Sequence, residues 1–550
     1  MSPAKKQRIG ISGTGRRGTE LYSTLTAAGA DACAVCDVDA DRLEQFARET
    51  GTKSTYTEYE AMLDDAKLDA VVVASPILHH APQCVTALER DLHVLSEVPA
   101  AVSLEQSRKL VDACQNSKGT YMIGENLLFS RNTMHVREMV KRGWFGDLYY
   151  AEGEYLHDLK LLIDQTAWRR QWQAGIAGIT YGTHALGPIM LWMDGDRVSR
   201  VCSESSGSHC HDSDGEAYAQ DTAVMLCKTD RGALIKIRLD LVSERPNCVN
   251  RHQLQGTEGV FDSGCCPEGG SGQIWLRRLG AQARWFDLDT VGEECIPDVW
   301  RDPDEAVKNG GHCGADTIMA RDFLRAIRGE PVTVAGIHEA MTMTLPGLMS
   351  QASVAQGGVW LDVPDSRQWP GDKTEPQLQM VLFRNILNAP PQLEIPPGYE
   401  LRCFHDTDEA AYLTLMAKAG FTGFTHDTVV ENCRVALPDG FFVIIHRETD
   451  CMVATAIAGH LPTDLHPQGG MFHFVAADPA HSGRGLGKAV SAVVLARLIG
   501  VGYRDIYLCT DDFRLPAIKI YLDLGFEPFH FHPGMKERWQ KVFTALRRRP

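Results

Sequence analysis

The stretch RIGISGTGRRG, Arg8 to Gly18, decides the fold of the N-terminal domain. A short apolar run carrying Ile9 and Ile11 ends in Gly13, Gly15 and Gly18, with Gly-x-Gly-x-x-Gly spacing, and a helical pattern follows. One glycine serves the tight turn, one lets the backbone approach a pyrophosphate, and one packs helix against strand. The unpaired N–H groups at the helix start, beside Arg16 and Arg17, face the phosphates. Asp37 closes the next apolar run, ACAVCDVD, where a carboxylate meets the adenosine ribose hydroxyls. Its charge repels a 2′-phosphate, so the expected cofactor is NAD rather than NADP.

Outward from this loop, AVVVAS, HVLSEV and TYMIG continue an alternation of strands and helices. That pattern predicts an α/β domain over residues 1–125, a Rossmann-type, doubly wound parallel sheet. Over 126–364 the runs lengthen (LYYAEGEYLHD, RVSRVCSES, TAVMLCKT, ALIKIRLDLVS), which predicts an α+β substrate and oligomerisation domain on an open, mainly antiparallel sheet. Residues 365–397 are rich in Pro, Gln, Asp and Gly and read as a partly ordered linker carrying a helix-like insert, LQMVLFRNIL. A third αβ domain spans 398–550. Its run MFHFVAADPAHSGRGLGKAVSAVVLARLI holds a second glycine loop, where Gly483, Gly485 and Gly487 bare N–H groups at a helix start, a surface suited to the pyrophosphate of coenzyme A.

Composition narrows the function classes. Of 550 residues 44% are hydrophobic and 23% charged, ordinary for a globular protein, and the length calls for several domains. A formal charge of -16 argues against a sequence-independent grip on nucleic acid or an anionic membrane. The Arg547–Arg549 run is too short to reverse that. No stretch matches a membrane span or signal peptide, so a cytoplasmic location is expected. Sixteen scattered cysteines, including the adjacent Cys265 and Cys266, lack metal-ligand spacing and read as reduced thiols, with no metal.

With the glycine loop, Ser75-Pro76 and His80 after the third strand, Glu97-Val98-Pro99 after the fourth and Gly182-Thr183-His184 further on, the chain resembles the glucose-fructose oxidoreductase / inositol dehydrogenase (Gfo/Idh/MocA) family over roughly residues 8 to 364. Two departures matter. Val98 stands where that family has a catalytic lysine, and Thr180 where it has an aspartate. Within the family, EVPAAVSLE, GENLLFSR, GEYLHDL, WRRQW, ITYGTHALGP and GHCGAD resemble the NAD-dependent glycosidases of the α-N-acetylgalactosaminidase type. That resemblance implies a tightly held, recycled NAD. It also implies oxidation at sugar C3, elimination of the C1 substituent after loss of the C2 proton, addition of water and re-reduction.

The physical reading of the residues fits such work. His184 exchanges protons near neutrality. Tyr181, one helical turn away, serves as a base only if its pKa falls well below about 10. Glu97 would orient cofactor or substrate, Asn126 matches the subgroup's Glu-Asn pair at the cofactor, and His157, Asp158, Trp168, Arg169 and His312 are candidates for the sugar pocket.

The second loop, followed by IYLCTDDFRLPAIKIYLDLGFEP, resembles the GNAT N-acetyltransferase family from about Tyr399 onward, which implies acetyl-CoA and an amine acceptor. Ser482 replaces the usual opening Gln or Arg, and Arg484 lies within the loop. Tyr521 aligns with the tyrosine that protonates the departing thiolate. His473, on the preceding strand, is a candidate base for the amine, and Asp511 and Asp512 are candidates to orient it.

The expected protein is a bifunctional enzyme of carbohydrate metabolism: an NAD-dependent, redox-neutral glycosidase fused to an acetyltransferase, forming a homodimer or homotetramer. Two alternatives stay open: a net sugar or inositol dehydrogenase carrying a GNAT domain, and a coenzyme-sensing domain that regulates the acetyltransferase.

Overall fold

The computed structural model describes residues 6–264, 271–280, 284–332, 335–369, 378–382, 394–421, 423–463, 465–531 and 535–546. Cys265, Cys266, Arg547–Arg549 and most of the expected linker lie outside them. The chain divides into two compact units, residues 1–354 with 358–372, and residues 355–357 with 373–550.

The first unit opens with six parallel strands in the spatial order Ser54–Tyr56, Asp31–Cys36, Arg8–Ser12, Ala70–Val73, His93–Ser96, Tyr121–Ile123. This is the expected doubly wound sheet. The strand Ala70–Val73 is buried throughout, as a sheet covered on both faces requires. Local chemistry sets the helix starts: Asp39 accepts from Arg42 N ahead of Ala40–Thr50, and Ser103 accepts from Gln106 N ahead of Leu104–Asn116. Strand order reverses direction between Arg8–Ser12 and Ala70–Val73. The crevice at their carboxyl ends is where such sheets take their ligands.

The same unit continues into a nine-stranded sheet, with Leu148–Leu156 beside Leu234–Asp240 as its parallel pair and the other paired neighbours antiparallel. Thr222–Thr229 alternates between buried and more exposed residues, the sign of a sheet packed on one face. The helix Thr183–Trp192 lies against this sheet and is apolar nearly all round, which is why it is buried on almost every side.

The second unit holds a seven-stranded sheet in the order Tyr399–Cys403, Ala436–His446, Cys451–His460, Gly470–Ala477, Ile506–Thr510, Leu378–Leu382, Phe526–Phe529. The helix-like reading of LQMVLFRNIL is corrected here. Leu378–Leu382 is a strand, antiparallel to both Ile506–Thr510 and Phe526–Phe529. A short continuous apolar run suits a strand buried on both faces as well as a helix, and periodicity cannot separate the two.

Among the described residues, no helix is long and apolar enough to cross a membrane, no cluster of three metal-ligating side chains occurs, and the cysteines are free.

Candidate functional site

The two glycine loops provide a direct test of fit for their coenzymes. At the first, Gly13 adopts φ +91° and donates its N–H to Cys36 O, while a Cβ on Gly18 would fall 1.8 Å from Gly13 O. Those two glycines build the turn. A Cβ on Gly15 would meet nothing within 4 Å, and no side chain caps the helix Arg16–Ala27 that Gly15 opens. The uncapped N–H groups over that open space fit a pyrophosphate. Asp37 Oδ2 accepts from Thr14 N and Thr14 Oγ1, both at 2.8 Å, so the carboxylate also fastens the loop from below.

The helix Thr183–Trp192 presents His184 in its first turn. The imidazole Nδ1 lies 2.7 Å from Oε1 of the fully buried Glu125. Burial pushes the Glu125 carboxyl up, but the neighbouring His184 outweighs it and holds the group below its usual range. A carboxylate at Nδ1 fixes the proton there and leaves Nε2 as a free base. Tyr155 stacks on His184 with ring centroids 4.9 Å apart, Tyr181 meets it edge-on at 5.5 Å, and Tyr155 Oη lies 2.9 Å from His157 Nδ1.

A second charged cluster lies beside the glycine loop. Arg17 Nε donates to Glu97 Oε1 at 2.6 Å, and its terminal nitrogens donate to both oxygens of Asp316 at 2.7 and 2.9 Å. Asn126 Nδ2 and His312 Nδ1 also reach Asp316, at 3.3 and 2.9 Å. The hydrogen bond to Asp316 raises the His312 pKa. The buried Asn126 Oδ1 has no partner among the described residues, an acceptor suited to a bound cofactor or substrate.

In the second unit, Gly470–Ala477 and Ile506–Thr510 pair in parallel at Gly470↔Ile506 and Met471↔Tyr507 only, then part. The register against Cys451–His460 shifts between Ala476 and His473, and Phe474 there takes φ +41°. This bulge bends the strand and frees backbone groups beside the opening. At the second glycine loop, Gly483 and Gly485 take φ +78° and +82° with open space where a Cβ would lie, and Gly485 opens the helix Leu486–Gly500 without a side-chain cap. Arg484 donates to Tyr399 Oη, which lies 2.8 Å from His481 Nδ1.

Comparison with known proteins agrees with both halves. Residues 7–125 match the oxidoreductase family with an NAD-binding Rossmann fold, residues 129–369 the glycosyl hydrolase 109 C-terminal domain, and residues 406–526 the acetyltransferase (GNAT) family. A glycosyl hydrolase family 109 protein of Saccharopolyspora erythraea is 32% identical over 391 residues, covering 65% of this chain and 83% of that protein. One of Streptomyces filamentosus is 31% identical over 399 residues, covering 67% and 78%. The chain belongs to glycosyl hydrolase family 109. A levoglucosan dehydrogenase solved with NADH and levoglucosan shares the fold, with a TM-score of 0.56 at 19% identity over 66% of this chain and 100% of its own.

This family 109 chain is thus an NAD-dependent, glycosidase-type domain fused to a GNAT acetyltransferase domain. The other residues singled out in the sequence have surroundings that bear on their chemistry. Tyr181 is no ready base, because burial pushes its phenol up to about 12. His80 is 1% exposed, with Nδ1 facing Pro99 O and Nε2 facing Ser75 O, each at 2.9 Å, so its imidazole is held by backbone carbonyls. Ser75 Oγ donates to Gln83, Pro76 precedes the short 3-10 turn Ile77–His79, and Arg16 is exposed and paired with Glu20. Asp158 Oδ1 accepts from Lys160 N, and Trp168 carries the Arg169 guanidinium 4.3 Å from its ring centroid.

In the GNAT domain, burial pulls His473 down to about 4, which keeps it neutral but makes it a weak base. Tyr521 is 6% exposed, packs against Phe472, and has its pKa raised by burial. Asp511 pairs with Arg514 and Asp512 with Arg538.

Sequence reading missed Glu125, Tyr155 and Asp316. Glu125 carried the one usable signal, an acid beside Asn126 at a strand's carboxyl end. Pairs such as Arg17 and Asp316, 299 residues apart, leave no local trace.

Proposed function

We propose that the first unit hydrolyses a glycoside or amino-sugar glycoside without net redox change, and that the second transfers an acyl group from acetyl-CoA to an amine. The observation that carries the first half is the Glu125–His184 dyad at the carboxyl end of a Rossmann sheet in which Val98 has replaced the lysine of ordinary dehydrogenases. Bound NAD would take a hydride from sugar C3 and return it at the end of each turnover.

His184 Nε2 takes the proton of the sugar hydroxyl, with Glu125 stabilising the imidazolium that forms. A C3 ketone acidifies the C2 proton. The C2 proton ends on the departing alkoxide as the C1–O bond breaks, water then adds its hydroxyl to C1 and its proton to C2, and His184 returns its proton to the C3 oxygen as C3 is reduced again. Tyr181, protonated at neutral pH, donates a hydrogen bond to a developing oxyanion. Glu97 and Asn126 position cofactor and sugar, and Arg169, Trp168, His157 and His312 line the sugar side.

Two features support acyl transfer in the second unit: the uncapped helix behind Gly483 and Gly485, and the parted strands beside the Phe474 bulge. Tyr521 is assigned as proton donor to the departing thiolate, with neutral His473 near the amine.

The test is cleavage of a glycoside panel by the purified full-length protein in deuterium oxide. Product formation with deuterium at C2 and no accumulation of reduced nicotinamide is the expected result. Stoichiometric NADH production from free sugars would overturn it in favour of a net dehydrogenase.

A further inference from the structure

Strand order places Ala70–Val73 between Arg8–Ser12 and His93–Ser96, so one whole strand separates the strand that leads into the glycine loop from the strand that leads into Glu97. Arg17 spans that gap. It leaves the first turn of Arg16–Ala27, donates to Glu97 beyond the far strand, and grips both oxygens of Asp316 at the start of the helix Ala315–Ile327.

The receiving side is built for this grip. The Asp316 side chain is 1% exposed. His312 and Cys313 take φ +48° and +54°, with Gly314 following at +95°, a backbone that side chains rarely adopt and that persists only when its surroundings enforce it. A Cβ on Gly311 would fall 2.5 Å from Asp316 Oδ2. Burial works against the charge on Arg17, yet Glu97 and Asp316 outweigh it, and Asp316 in turn is held far below its usual range. Arg17 and Asp316 therefore both stay charged at neutral pH. A planar guanidinium matches a carboxylate in two parallel bonds, which an ammonium cannot do.

We propose that Arg17 is a latch, a positioning residue that ties the glycine loop to Glu97 and Asp316 and so slows the escape of bound NAD. This role rests on the reading of NAD as a resident, recycled cofactor. It differs from the expectation that Arg17 binds the cofactor directly: Nε and both terminal nitrogens each already donate to a protein carboxylate.

The test follows exchange of bound NAD for isotopically heavy NAD in the full-length protein, read by mass spectrometry. The variants are Arg17→Gln, Asp316→Asn, the double variant and Arg17→Lys. Each of the first two is expected to exchange at least about tenfold faster than wild type, and the double no faster than the faster single, because the partners act as one unit. Arg17→Lys, which keeps the charge and loses the fork, should fall between. If Asp316→Asn fails to fold, Arg17→Lys carries the test alone. Wild-type exchange rates in the folded variants, or a double variant that adds both effects, would overturn the latch while leaving resident NAD intact. Exchange within seconds in the wild type would overturn the resident-cofactor reading and the latch with it.

Discussion

At the residue scale the chemistry depends on what surrounds each polar group more than on its identity. His184 gains direction from the buried Glu125 carboxylate, whereas Tyr181, one turn away, loses basicity because nothing nearby offsets its desolvation enough. Glu125→Gln keeps a hydrogen-bond acceptor at Nδ1 and removes the charge that stabilises a protonated ring. It is expected to lower glycoside turnover by roughly 10- to 100-fold without reducing the bound NAD content. His184→Ala, which removes the base itself, should cost roughly 10²- to 10⁴-fold. Steady-state kinetics with the cofactor quantified in each preparation check both values, and an Glu125→Gln enzyme of wild-type kcat would show that the carboxylate only packs. His184 was legible in the sequence because the YGTHALGP stretch is local. Its pairing with Glu125 was not, since the 59-residue separation is closed only by the docking of one helix on the strand end.

At the scale of the element, the two glycine loops were readable because both functions of glycine, unusual backbone angles and absence of a side chain, are encoded within a few positions. The structure sorts the three glycines of the first loop by role, which the pattern alone does not. Gly15 has φ −65° and open space around its missing Cβ, so Gly15→Ala should fold normally and lose NAD affinity, because the methyl group enters the space assigned to the pyrophosphate. Gly18→Ala drives a methyl into Gly13 O and should destabilise the whole unit, by roughly 1–3 kcal/mol or more. Thermal unfolding without added cofactor separates the two variants, and NAD titration then ranks the survivors. Equal melting points for both would contradict this division of labour.

At the scale of the whole molecule, the boundary between the glycosidase-type half and the acetyltransferase half falls earlier than composition indicates. Proline- and glutamine-rich flanks made residues 365–397 read as linker, yet Leu378, Met380 and Leu382 in their midst are 0%, 0% and 3% exposed within the C-terminal sheet. The matched GNAT region, 406–526, does not include them. Burying three such side chains is worth about 1.5–3 kcal/mol each, so the strand contributes on the order of 5–9 kcal/mol, much of what holds an ordinary domain together. It also supplies the backbone partners of two neighbours: without it, Ile506–Thr510 and Phe526–Phe529 would each expose a ladder of unpaired N–H and C=O groups. A fragment of residues 398–550, cut where the composition changes, is therefore expected to be unfolded or aggregated. A fragment of residues 373–550 should fold and bind acetyl-CoA, as read by circular dichroism and calorimetry. Cooperative unfolding of the shorter fragment with undiminished acetyl-CoA affinity would show that the strand is an accessory and that the compositional boundary was the structural one.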